Sequence, residues 1–184
     1  ELIMFQKRGK MASSLIHLAI TNEFANKIKV KDIKRLRMGS MLPDNVGPKG
    51  HLKISICGNH KKTYNLEYFR KKFIELIKED DLYLGYYLHL VQDILYRRYV
   101  YTEHNWNPLI PGNVERLHRD YEICNSYVIE KYELTKEMIE SFSIDGQAIR
   151  SLAEFNIEEF AAKVRDYFNP VDFDDIYFFT KEMA

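Results

Sequence analysis

His89 and Asp93 stand at positions i and i+4 in "LGYYLHLVQDILYRRYV" (84–100), an otherwise apolar run. On a helix that spacing sets both side chains on one face. An ionisable pair on a buried face is costly unless something satisfies it. Two readings fit the pair taken alone. It is a hydrogen-bonded His–Asp couple bracing a helix contact, or it is two ligands gripping a metal ion from one turn, with neutral imidazole and ionised carboxylate as donors.

Three more residues bear on the choice. His17 lies midway along "SSLIHLAI", Asp44 follows a proline in "MGSMLPDN", and His51 follows a glycine. Each has a plainer role by itself: a core histidine, a turn-forming aspartate, a loop histidine. In order, however, they give a helix histidine, a loop Pro-Asp, a loop histidine and then H-x-x-x-D. That is five oxygen and nitrogen donors on at least three segments, with no cysteine among them. Carboxylates mixed with imidazoles suit zinc or another divalent first-row ion, in a number sufficient for two ions sharing a bridge.

Through "SSLIHLAI", "MGSMLPD", the following "GH" and "LGYYLHLVQDILY", the chain resembles the zinc-dependent phospholipase C family, above all its compact bacterial members. The resemblance covers roughly residues 12–100 and weakens toward 132. It implies that His17, Asp44, His51, His89 and Asp93 ligate zinc, with Asp93 as the bridging carboxylate. It also implies Asp44 as the catalytic base that takes the proton of the attacking water.

The second half departs from the secreted members, which carry a further site made of two histidines and an H-x-x-x-E glutamate. Here "LHRDYE" offers His118 and Glu122, or Asp120 in place of one of them, but no histidine follows His89 by ten residues. An exposed polar helix face accounts for these three as simply. The secreted enzymes also use the amine and carbonyl of their terminal residue as donors. Here at least Met11 to Ile16 precede His17, so one tightly held ion is a safer expectation than two.

These residues need elements to position them. Apolar residues recur at helical spacing over 13–28, 66–78, 82–100 and 114–132, with Ser13 or Ser14 as the first N-cap, and shorter patterns occupy 135–142, 156–168 and 172–182. Between them, 38–63 gathers glycine and proline and reads as a long functional loop, as does 102–113 with Trp106. Only "HLKISI" (51–56) alternates like a strand. The expected fold is therefore all-α, and the resemblance narrows it to a bundle of the phospholipase C / P1 nuclease type. The expected organisation is one domain over 1–184. Residues 1–11 form an extension ahead of a natural start near Met11, 12–132 the metal-site core, and 133–184 C-terminal helices.

Composition limits the partners. Lys+Arg and Asp+Glu are both 27, so no net field draws nucleic acid or anionic lipid. The basic run "KVKDIKRLR" (29–37) reads as a solvated helix end or loop. No apolar segment approaches the roughly 20 residues that cross a bilayer, and Cys57 and Cys124 flank no metal motif, so free thiols and a cytoplasmic location are expected. The function expected is metal-dependent hydrolysis of a phosphoester, either a small soluble ester or a phospholipid headgroup. The alternative is a metal-stabilised helical binding or regulatory domain without catalysis. An HD-type phosphohydrolase is excluded, because none of the six histidines is followed by aspartate.

Overall fold

The structure is a computed structural model, and it describes residues 13–44, 50, 53–55, 62–139, 157–169, 171 and 175–184. Among these, six α-helices account for nearly all the regular structure: α1 (Ser14–Ala25), α2 (Ile33–Met41), α3 (Leu66–Glu79), α4 (Asp81–Arg97), α5 (Asn113–Lys131) and α6 (Ile157–Asp166). The all-α expectation holds. A two-stranded antiparallel ribbon is added to it, β1 (Lys53–Ser55) against β2 (Lys62–Tyr64), with Ile54 opposite Thr63. The first strand lies within the one alternating stretch of the sequence. No helix among the described residues is long and apolar enough to cross a membrane.

Short polar side chains start the helices where the sequence places them. Ser13 accepts from the Leu15 amide, Asp32 from Lys34 and Arg35, Asn65 from Tyr68, and Asp80 from Leu82. Asp80 also receives a two-pronged hydrogen bond from Arg35, Nε at 2.7 Å and Nη2 at 2.6 Å. Its neighbour Asp81 accepts the amides of Lys31 and Asp32 at 2.7 and 2.6 Å. The α1–α2 turn is thereby fastened to the α3–α4 corner, and the basic run serves as a helix start.

Helix α2 corrects the expectation of a loop from residue 38. "MGSM" is helical, and the chain then makes a 3₁₀ turn, Leu42–Asp44. Gly39 is there because of where α2 crosses α4. A Cβ on Gly39 would stand 2.0 Å from the Leu82 carbonyl oxygen, and one on Gly85 would stand 2.1 Å from that of Leu36. The two backbones touch, and glycine is the only residue that lets them. Around this crossing Leu15, Leu18, Leu36, Met41, Leu82, Tyr86 and Leu90 are fully buried. One hydrophobic cluster continues from there through Val100, Tyr121 and Val128 to Phe179.

Two further expectations need correcting. Of the pattern at 135–142, the described residues 135–139 form a 3₁₀ turn, Lys136–Met138, and 140–142 lie outside the described residues. The pattern at 172–182 is not helical over 175–182; the chain there runs through bends and a turn. Past Arg97, α4 changes winding instead of ending. Residues Arg98–Glu103 form a π-helix closed by the His104 amide on the Tyr99 carbonyl at 3.1 Å.

Gly39→Ala and Gly85→Ala should each destabilise the protein by about 3 kcal/mol or more, because backbone atoms cannot yield as side chains do. Gly112, at φ 83° with open space around its Cβ position, is the control. Gly112→Ala should cost only about 1–2 kcal/mol of left-handed strain. Urea midpoints of the three variants measure the difference.

Candidate metal centre

The α2–α4 contact delivers His89 to the end of α2. Its Nδ1 donates to the Ser40 carbonyl at 2.6 Å, one of the last carbonyls of α2, which lack intrahelical partners. A carbonyl only accepts, so the proton is on Nδ1, and Nε2 is left to face inward. From α1, His17 reaches the same place. Its Nδ1 meets Gln92 Oε1 at 2.7 Å, while Gln92 Nε2 donates to Thr21 Oγ1 at 3.3 Å. The amide orientation thus fixes the same tautomer on His17. The two imidazoles stack with centroids 3.8 Å apart.

Two carboxylates face the paired Nε2 atoms. Asp93 Oδ1 lies 3.3 Å from His17 Nε2, and Oδ2 lies 3.5 Å from His89 Nε2. Asp44, set by the 3₁₀ turn, brings Oδ1 to 3.9 Å from His89 Nε2, and its Oδ2 accepts from Ser14 Oγ at 3.0 Å. Ligand atoms of His17, Asp44 and His89 all lie within 4.8 Å of one another. His17 is 1% exposed, His89 and Asp93 0%, and Asp44 9%. Three elements (α1, the turn after α2, and α4) therefore aim four donors at one dry spot.

The electrostatics of this spot ask for a cation. Burial, then the neighbouring His17 charge, pull the His89 pKa down, so this ring is neutral. Its Nε2 lone pair faces two carboxylates. Burial also pulls His17 down, but the hydrogen bond and charge of Asp93 and the charge of Asp44 outweigh it and leave His17 raised. For Asp93, burial pushes up, yet the two histidines hold it well below the usual carboxylate range. With Nδ1 given to Gln92, His17 Nε2 faces Asp93 Oδ1 at 3.3 Å. Lone pairs set against buried anions repel unless a positive charge stands between them. One proton on His17 meets only part of that demand, whereas a divalent ion meets all of it. The donor set fits such an ion, with both Nδ1–H groups held as ligating histidines usually have them.

Of the expected ligands, His17, Asp44, His89 and Asp93 come together. His51 lies outside the described residues; Gly50 before it accepts a hydrogen bond from the Tyr86 hydroxyl of α4. His118, Asp120 and Glu122 have other surroundings. His118 is half-buried against Tyr121. Glu122 is exposed and lines a surface pocket of about 410 Å³ shared by α5 and α6. Asp120 is buried, and its carboxylate accepts the backbone amides of Tyr177, Phe178 and Phe179 at 2.7–2.8 Å. It holds the C-terminal segment on α5. His104 is exposed, with its ring edge on Tyr99.

Sequence reading missed the residues that orient the ligands. Gln92 sits next to Asp93, and Thr21 follows His17 by one helical turn, so helical spacing could have suggested the Thr21–Gln92–His17 link. The Ser40 carbonyl carries no side-chain signal at all. Tyr64, whose hydroxyl is within reach of Asp93, was hidden in a three-residue strand. No family model, curated protein or solved structure matches the chain.

Gln92→Leu removes the acceptor that fixes His17 and should weaken metal binding about 10–100-fold, read by competition with a chromogenic chelator. Asp120→Ala should leave metal content unchanged. It should lower stability by about 2–4 kcal/mol and raise amide exchange across 175–182, because three amides lose a charged acceptor.

Proposed function

We propose that this protein is a metal-dependent phosphoester hydrolase, built as a helical bundle like the zinc-dependent phospholipase C family it resembles. The observation that carries the reading is the pair of fixed histidine tautomers, each presenting Nε2 to buried carboxylates. His17, His89, Asp93 and Asp44 would hold the ion, with zinc the first choice for an imidazole–carboxylate set. A bound divalent ion supplies a polarised phosphoryl oxygen and a water of lowered pKa.

The chain's own groups do the rest. The Asp44 side chain is as buried as the others, and Ser14 holds one of its oxygens while the other faces His89 Nε2 at 3.9 Å. It is the group placed to take a proton from attacking water. Asp93 offers one oxygen to each histidine side, the disposition a bridging carboxylate needs. Gln92, Thr21 and the Ser40 carbonyl keep the imidazoles from turning as charge changes at the centre. The substrate is a phosphoester, soluble or carried by a lipid headgroup.

The near-complete burial of His17, His89 and Asp93 favours a second reading, a closed metal centre that organises α1, α2 and α4 without catalysis. Metal analysis with an activity assay separates the two. Plasma mass spectrometry of the purified protein should find about one divalent ion per chain, absent from a His89→Ala, Asp93→Ala double variant that keeps its helical circular dichroism. Asp44→Asn, which keeps an oxygen donor but removes the base, should lose about 10²-fold or more of the hydrolysis of nitrophenyl phosphoesters when compared at equal metal content. Metal without hydrolysis in the wild type selects the structural reading. No uptake of zinc or manganese by the wild type overturns both.

A further inference from the structure

One turn beyond Asp93, α4 carries a cation that metal binding does not use. Arg97 follows Asp93 by four residues, as Asp93 follows His89, so the three share one stripe of the helix. Its guanidinium carbon lies 5.7 Å from the centre of the Tyr64 ring and 5.5 Å from that of Tyr101. Tyr64 belongs to β2 and Tyr101 to the π-helix, so two elements that supply no metal ligand converge on this one side chain. Tyr64 is 4% exposed, and Tyr101 stacks on the buried Trp106 with centroids 5.3 Å apart, so both rings are fixed.

The cluster is electrostatically continuous with the metal centre. Burial and Asp93 push both tyrosine hydroxyls up, while Arg97 eases each of them. Arg97 is half-buried where His17, His89 and Asp93 are fully buried. Tyr64, whose ring it faces, is within hydrogen-bond reach of Asp93, so this cation stands close to the four residues. A guanidinium carries a planar N–H fork that matches phosphate oxygens, and aromatic neighbours hold such a cation without neutralising it.

We propose that Arg97, held beside the Tyr64 and Tyr101 rings, binds the phosphate of the substrate at the His17–Asp44–His89–Asp93 centre. This rests on the phosphoester reading above and adds to it a specificity residue: the substrate must present an anionic phosphate, so neutral esters are excluded.

The test is calorimetric titration of zinc-treated wild type, Arg97→Met and Arg97→Lys with inorganic phosphate, with metal content measured on the same samples. Equal metal and a phosphate Kd raised about tenfold or more in Arg97→Met, with an intermediate rise in Arg97→Lys, is the expected result. Equal phosphate affinity in wild type and Arg97→Met overturns the proposal while leaving the metal reading standing. If Arg97→Met does not fold, Tyr101→Leu takes its place. Removing the Tyr101 contact should then weaken phosphate about threefold or more, and unchanged affinity overturns the proposal.

Should the wild type take up no metal, the hydrolase reading falls, and the same titration still decides this one. Phosphate binding lost with Arg97 supports it, and no phosphate binding overturns it. Displacement of phosphate by glycerol phosphate identifies a soluble ester as the source of the anion. Displacement only by phosphatidylcholine vesicles containing phosphatidic acid identifies a lipid, and displacement by neither overturns the proposal.

Discussion

Two glycines, one on each helix, allow the backbones of α2 and α4 to touch, and the candidate metal centre is built on that contact. Gly39 and Gly85 interlock: each Cβ position is already taken by a carbonyl of the facing helix. The approach brings the last carbonyls of α2 within reach of α4, so that Ser40 can fix His89, and it ends α2 where Asp44 turns inward. Were the helices spaced at the usual 8–10 Å of side-chain-separated packing, the imidazole would lack its acceptor, and Asp44 would stand away from it. A property of the backbone thus sets the chemistry of the side chains.

Burying two carboxylates and two imidazoles at one point is expensive, and the surroundings show how the fold sustains it. Polar partners come from every side: Ser14 on Asp44, Gln92 on His17, Thr21 on Gln92. Ser13, next in the chain, donates to Asn125 of α5 at 2.6 Å, so the start of α1 touches both the centre and the helix behind it. Such a network is fully favourable only when every member is satisfied. The remaining demand, a positive charge among the Nε2 atoms and carboxylate oxygens, is what a bound ion would meet. Metal binding and folding would then be linked, as they are wherever ligands cost stability in the empty state.

The apolar helices could be read from sequence: α3, α4 and α5 each bury a stripe that the spacing reveals, and α1 is an apolar run buried on all sides over 14–19. Helix α2 could not. A glycine inside "MGSM" looks like a helix breaker worth about 1 kcal/mol, and only the facing α4 explains why it belongs there. The segment 175–182 misled in the opposite sense: its aromatic spacing mimics a helix, but the Asp120 carboxylate takes the amides of 177–179 and holds the chain open. At the centre, residue type and order were enough to single out His17, Asp44, His89 and Asp93. The groups that orient them were not readable, because a backbone carbonyl and a glutamine amide have no pattern of their own.

Gly85, His89, Asp93 and Arg97 are spaced by four, a ladder of contact point, imidazole, carboxylate and cation along α4. A helix holds such a ladder only while its phase is kept. One residue inserted anywhere between the first rung and the last would turn everything beyond it by about 100° and scatter the groups round the cylinder. The wider π-winding, which accommodates an extra residue per turn, begins at Arg98, just past the last rung. The helix keeps strict register as far as these four groups need it and changes winding only afterwards, where Tyr101 turns its ring to Arg97 and stacks on Trp106.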